Sequence, residues 1–184
     1  MRIFINPGHS FQGNPDPGAC GNRLRECDVA LSVGQLVKHY LEVVGYEVRL
    51  LQSDNLAGES PAYPNVTAEA NEWEADLFVS LHCNAHKGEA RGVETCCYDP
   101  TGESGSLALC IQQQLVDTLR RFDSSLPDRG VKERRDLAVL KYTDMPAALV
   151  ETAFIDNPQD AVLLRDRQDE IARAIARGVT DFFA

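Results

Sequence analysis

The sequence predicts an α/β fold: a three-layer sandwich with helices on both faces of a largely parallel or mixed sheet of about six strands. Two observations carry that prediction. Short apolar runs of strand length, "RIFIN", "DLFVSLHC" and "AALVETAF", are spread along the chain instead of gathered into one half. Between them lie longer stretches whose apolar residues recur every three or four positions, as amphipathic helices require. At 184 residues and 43% hydrophobic composition the chain has the length of one domain and material for a core. No internal repeat, low-complexity tract or linker divides it, so a single domain over residues 1–184 is expected.

The elements follow in order. "RIFIN" reads as a buried first strand, broken by the turn formers Pro7 and Gly8. From Glu26 onward Val29, Val33, Leu36, Val37, Tyr40, Leu41 and Val44 repeat at helical spacing, and Gly45 is a natural stop. "YEVRLLQ" is the next strand, and "SDNLAGESPAYPN" is a loop by its Gly, Pro, Ser and Asn content. A short helix beginning at Asn65 feeds the strand "DLFVSLHC", and "GVETCCY" is another strand. Leu107, Ile111, Leu115, Leu119 and Phe122 form the stripe of a further helix. "LPDRG" reads as a loop, "LAVLKYT" and "AALVETAF" as strands. Asn157-Pro158 suits a helix start, and the last helix buries Ile171, Ile175, Val179 and Phe182.

The net charge of −10 and the pI near 4.8 argue against a nucleic-acid partner, which needs a basic surface, and against a polybasic contact with an anionic membrane. No stretch approaches the ~18 apolar residues of a membrane span. The opening "MRIFINPG" is too soon interrupted for a signal peptide, so no export address is expected. The six cysteines show no CxxC pair and read as reduced, small hydrophobes. Cys83 beside His82 is the tempting nucleophile, but neighbours along a strand point to opposite faces, so Cys83 points away from the histidine's side.

Ligand crevices of open α/β sheets lie outside the carboxyl ends of the strands. His9 follows the first strand, His82 ends another, and Glu26 stands at the start of the first helix, near the same rim. Two histidines and a carboxylate make the three-ligand set of hydrolytic zinc, with a fourth position left for water. His39 in mid-helix and His86 in a loop suit that role less well. Glu151 is a lone carboxylate inside the apolar run "AALVETAF", where burial raises its pKa and fits it to exchange protons with a water. Taken singly, each has an ordinary alternative: a satisfied core histidine, or an acid favoured by the helix dipole. Asn84, on the face of His82, is a candidate for ligand or substrate orientation and equally a turn cap. The basic run Arg129, Lys132, Arg134 and Arg135 suits carboxylates of a substrate, although Glu133 and Asp136 are interleaved with it.

"NPGHS", "GACGN", "LRECDVAL", "ADLFVSLHCNA", "RGVETCCY" and "DRGVKERRDLAVLKYTDMPAALVETAFIDNPQD" resemble, in order and across nearly the whole chain, the zinc N-acetylmuramoyl-L-alanine amidases of the Amidase_3 type. The resemblance implies one zinc ion on His9, Glu26 and His82, with Glu151 as catalytic acid/base. It also implies a peptidoglycan substrate, cut between the lactyl group of N-acetylmuramic acid and the L-alanine of the stem peptide. The implied place of action is the bacterial cell wall, and a monomer is expected. Another zinc hydrolase such as a carboxypeptidase, or a silent wall-binding module, are the rival readings. The chain departs from the family pattern at Ser10-Phe11, where Gly-Gly is common, at "LQSD", where Thr-Arg is frequent, and at Ala153, where Gly is usual.

Overall fold

In the computed structural model, which describes residues 1–184, the chain runs β1 (Arg2–Pro7), β2 (Cys20–Gly21), β3 (Leu24–Arg25), α1 (Glu26–Val43), β4 (Glu47–Leu50), α2 (Val66–Glu72) and β5 (Leu77–Asn84). It continues through β6 (Val93–Cys97), α3 (Glu103–Leu119), β7 (Asp128–Glu133), α4 (Ala138–Lys141), β8 (Ala147–Phe154), α5 (Pro158–Asp166) and α6 (Gln168–Phe182). One six-stranded sheet has the order β4-β1-β5-β8-β6-β7, and β2 with β3 forms a separate hairpin. The first four strands of that order are mutually parallel, β6 runs antiparallel to β8, and β7 is parallel to β6. The α/β class holds, with a mixed sheet.

Side chains alternate across the sheet and divide the core in two. Ile3, Ile5, Leu77, Val79 and Leu81 face the long helices α1, α3 and α6 in the larger cluster. Phe4, Phe78, Cys96 and Leu149 face the other way, against Val66 and Ala70 of α2 and Val139 and Leu140 of α4. That second layer is thin, since α2 has 7 residues and α4 has 4. His82 and Asn84 share the strand face of Phe78, further toward the carboxyl end of β5.

Helix limits follow local chemistry. Asn65 accepts from the Ala68 N–H at the start of α2, and Asn157 caps α5 with Pro158 in its first turn. Gly45 takes φ +92° just beyond α1, a conformation that ends a helix cheaply only with glycine.

Three expectations need correction. "LAVLKYT" holds the helical turn α4, because a strand would point the adjacent Val139 and Leu140 to opposite faces whereas the turn buries both in one cluster. The sixth strand is β7, which begins inside the segment expected to be loop. Its charged, largely exposed residues carry no hydrophobic pattern; as an edge strand it needs only backbone pairing to β6, and charge discourages further pairing. Phe122 is not part of a buried stripe. Helix α3 ends at Leu119, and the Phe122 ring is 43% exposed beneath the Arg167 guanidinium.

A buried ion pair ties the rim of the sheet together. Asp160 is fully buried and accepts from Arg91 Nε at 2.8 Å and from the N–H groups of Gly92 and Phe154 at 2.8 and 3.1 Å. Arg91 also pairs with Asp123. The entry to β6, the end of β8 and α5 are thereby held together.

Candidate metal centre

Strand β1 ends in the turn Pro7-Gly8-His9, where the Gly8 N–H donates to the Leu81 carbonyl at 2.8 Å. A Cβ on Gly8 would lie 2.3 Å from His82 Cε1, so only glycine lets the two histidines approach. His9 has φ +66°, a left-handed conformation that costs about 1–2 kcal/mol for a residue with a side chain. Its ring is held from behind by Asp16, whose Oδ2 lies 2.6 Å from His9 Nδ1. Asp16 is itself held: its Oδ1 accepts from the Gly18 N–H at 2.9 Å and its own N–H donates to Ser10 Oγ at 3.0 Å. A carboxylate on Nδ1 keeps the proton there and leaves Nε2 as the free donor atom of the neutral ring.

Glu26, the first residue of α1, is 4% exposed. Its Oε2 lies 3.0 Å from His9 Nε2 and its Oε1 2.9 Å from His82 Nδ1. The N–H groups of Ala19 and Cys83 donate to the same two oxygens at 2.8 and 2.9 Å. One donor atom from each of His9, Glu26 and His82 falls within 4.8 Å of the others, and this is the one His/Cys/Asp/Glu group in the chain that can hold a metal ion. The imidazole rings are 5.0 Å apart at 74°.

Burial disfavours the His9 imidazolium, but the hydrogen bonds and charges of Glu26 and Asp16 outweigh it and lift the pKa to about 9. Burial also pushes Glu26 up, and the hydrogen bonds and charges of His82 and His9 more than reverse this, holding its carboxyl well below the usual range. A divalent cation taking these donors therefore competes with a proton on His9. Two nitrogens and one carboxylate oxygen, converging on a point with a fixed second layer behind, are a donor set that suits zinc.

Glu151 lies beside this group by register, with His82 on β5 as one Cα partner and Glu94 on β6 as the other. Its Oε2 is buried without a hydrogen-bond partner. Burial pushes its pKa up to about 7, against the opposing pull of His82. Glu94 accepts from Asn84 Nδ2 at 3.0 Å and from Arg129 Nε at 2.7 Å, and the Arg129 guanidinium lies 5.0 Å from the Phe154 ring centre. Asn84 also accepts from the Ala85 N–H at 2.9 Å, so it serves as turn cap and as strut at once. Lys132 is exposed on β7 opposite Cys96, whereas Arg134 and Arg135 pair with the interleaved Asp136 and Glu133.

The structure thus brings His9, Glu26, His82 and Glu151 together, with Asn84 and Arg129 joined through Glu94 and Lys132 one step further along the edge strand. His39 packs against Tyr40 on α1 and His86 is exposed in the loop after β5, both outside the group. Cys83 is buried, with Sγ 3.6 Å from Thr152 Oγ1, and burial holds its thiol well above its ordinary pKa. Sequence reasoning missed Asp16 and Glu94. The first sits in a Gly- and Pro-rich loop with no periodicity to mark it; the second is an ordinary acid in a strand until β6 pairs antiparallel with β8.

A profile described as N-acetylmuramoyl-L-alanine amidase, Amidase_3, matches residues 3–181. The chain is 37% identical to the uncharacterized protein YqiI of Bacillus subtilis, over 98% of this chain and 84% of that protein. It is 36% identical to N-acetylmuramoyl-L-alanine amidase LytC of Bacillus subtilis, over 98% of this chain but only 35% of that much longer protein. Among solved structures, N-acetylmuramoyl-L-alanine amidase AmiC2 of Nostoc punctiforme superposes with a TM-score of 0.83 at 29% identity, covering 100% of this chain and 97% of that one. The chain belongs to the Amidase_3 family of N-acetylmuramoyl-L-alanine amidases.

Proposed function

We propose that residues 1–184 act as one catalytic domain that hydrolyses peptidoglycan at the amide between the lactyl group of N-acetylmuramic acid and the L-alanine of the stem peptide. Zinc is the metal in this reading, with His9, Glu26 and His82 as its ligands. The observation that carries the proposal is the convergence of those three donors beside a buried carboxyl with an unpartnered oxygen. When bound, zinc supplies Lewis acidity, which polarises a carbonyl and brings the pKa of water toward ~7.

The chain's own residues do the rest. Asp16 and the backbone N–H groups of Ala19 and Cys83 fix the ligand atoms in place, so no reorganisation is needed when substrate arrives. Glu151, ionised, takes the proton of the attacking water at its carboxylate and returns it to the departing L-alanine nitrogen. A pKa near 7 suits both halves of that exchange. Asn84 offers an amide to the substrate while Glu94 steadies it. Arg129 and Lys132 meet carboxylates of the stem peptide, Lys132 with no ion pair to break and Arg129 in exchange for Glu94.

Digestion of purified peptidoglycan by the purified chain, read by mass spectrometry, tests the proposal. Free stem peptides beginning with L-alanine and glycans with intact lactyl groups are the expected products. Cleavage elsewhere in the peptide supports a carboxypeptidase or endopeptidase instead, and no cleavage with metal bound rejects the enzyme reading.

A further inference from the structure

Beside the metal centre, at its β4 edge, lies a cavity of about 330 Å³ that the reaction just described does not use. Ser10, Phe11, Gln52, Ser53, Asp54 and Tyr63 line it. Ser10 and Phe11 directly follow the metal ligand His9 in the chain, and Gln52 is tied to the same scaffold. Its Nε2 donates to the carbonyls of Gly8 at 3.0 Å and Cys27 at 2.9 Å, the residues next to His9 and Glu26. Gln52 Oε1 has no donor within the protein. The cavity and the metal centre therefore share a rigid floor.

The rim is built as well. Phe11 and Tyr63 are 58% and 42% exposed, two aromatic rings left in water beside the concavity. Tyr63 is not a stray loop residue. Asn55, 3% exposed, donates from Nδ2 to the Tyr63 carbonyl at 2.8 Å and accepts from the Gly58 N–H at 2.8 Å. Ser53, also 3% exposed, donates to the Pro64 carbonyl at 2.6 Å. Buried polar side chains thus hold the loop that presents the ring.

From this geometry we infer that the cavity is a saccharide subsite, taking an N-acetylhexosamine ring of the glycan strand on the lactyl side of the scissile amide. The inference rests on the amidase reading and adds the direction in which the substrate lies. Three observations support it. The lining contains one charged residue, Asp54, and no cation, so it suits a neutral ligand and repels the carboxylates of a stem peptide. Two exposed aromatic rings beside a concavity match the apolar C–H face of a pyranose, and the exposed Asn14 and the Tyr63 hydroxyl are within its lining to meet the polar edge. Across the sheet the order is cavity, His9 in the turn after β1, His82 on β5, Glu151 on β8, Glu94 on β6, and Arg129 with Lys132 on β7. The residues that would hold a carbonyl-polarising zinc are thus nearer the cavity, and the acid that protonates the leaving nitrogen is nearer the end that carries Arg129 and unpaired Lys132. Sugar on one side and peptide on the other follows.

The test is a titration of the metal-loaded protein with tri-N-acetylchitotriose, followed by backbone amide NMR, alongside kinetics on a disaccharide tripeptide and on the free tripeptide as competitor. Saturable shifts clustered at Phe11, Gln52–Asp54 and Tyr63 are expected. Phe11→Ala and Tyr63→Ala, both at exposed positions, should each weaken chitotriose about 3- to 10-fold, the scale of one aromatic contact. Both should raise KM for the disaccharide tripeptide by a similar factor, with kcat changed little, and leave competition by the free tripeptide as it was. Shifts at these residues from the free tripeptide and none from chitotriose would place the peptide in the cavity and overturn the inference. Normal cleavage with no response to either substitution also overturns it and leaves the amidase reading standing. If no muropeptide is cleaved, that reading falls, and the chitotriose titration decides the subsite by itself.

Discussion

Glu151→Gln separates two consequences of one buried carboxyl. In the fold this group ionises near pH 7, against an ordinary value of 4.5. Between those values the native state keeps a proton that the unfolded chain has released, so stability falls as pH rises through the window. At ~1.36 kcal/mol per pH unit the loss is about 3 kcal/mol, complete above the folded pKa and absent below the unfolded one. The amide of Glu151→Gln carries no such dependence. It does bring an N–H into a place where Oε2 has no partner, at a constant cost of about 1–3 kcal/mol. The two effects oppose each other in the offset between the proteins, whereas the pH slope comes from the wild-type carboxyl alone. Urea unfolding of both, metal-free in chelator, at steps from pH 4.5 to 8, should show the variant gaining about 3 kcal/mol on wild type across the range. The same substitution should keep the zinc and lower kcat by about 10²- to 10⁴-fold, because an amide cannot accept the proton. A flat difference in stability from pH 4.5 to 8, or near wild-type turnover, would refute the assignment of Glu151 as the buried base.

Other outcomes follow from the same geometry. Elemental analysis should find one zinc per chain, removed by chelation together with activity. His9→Ala and His82→Ala should each weaken the metal, and His39→Ala should leave it unchanged. Asp16→Ala removes no ligand but frees the His9 ring, and should weaken zinc by about 10- to 100-fold in a competition titration. Gly8→Ala should do comparable damage through space alone, since its Cβ would fall 2.3 Å from His82 Cε1; unchanged zinc affinity would show that the turn relaxes. Arg91→Ala leaves fully buried Asp160 without its cation and should cost about 3–5 kcal/mol in a denaturation curve, whereas breaking the exposed pair Arg173–Asp169 should leave the curve nearly unmoved.

Apolar spacing is a property of the chain alone, so α1, α3, α6 and the buried strands β1, β5 and β8 were legible before any packing was known. So were His9 and His82, because a strand that stops at Gly-His or His-Cys-Asn delivers its last side chain to the rim whatever lies beyond. Glu151 stood out for a related reason, an acid in an apolar run needing an explanation. What the tertiary structure decided concerns groups whose meaning depends on distant partners. Edge strand β7 has no hydrophobic signature because its stabilisation is backbone pairing to β6. Val139 and Leu140 form a helical turn because only that conformation buries both. Asp16 matters only once a loop folds it behind His9 Nδ1, and Glu94 only once antiparallel insertion of β6 sets it opposite Glu151. The cavity beside the candidate metal centre draws its walls from the segments after β1 and β4 and from the loop before α2. Local pattern reports what a segment can bury. Register and loop closure decide which polar groups meet, and those are set by the free energy of the whole packed chain.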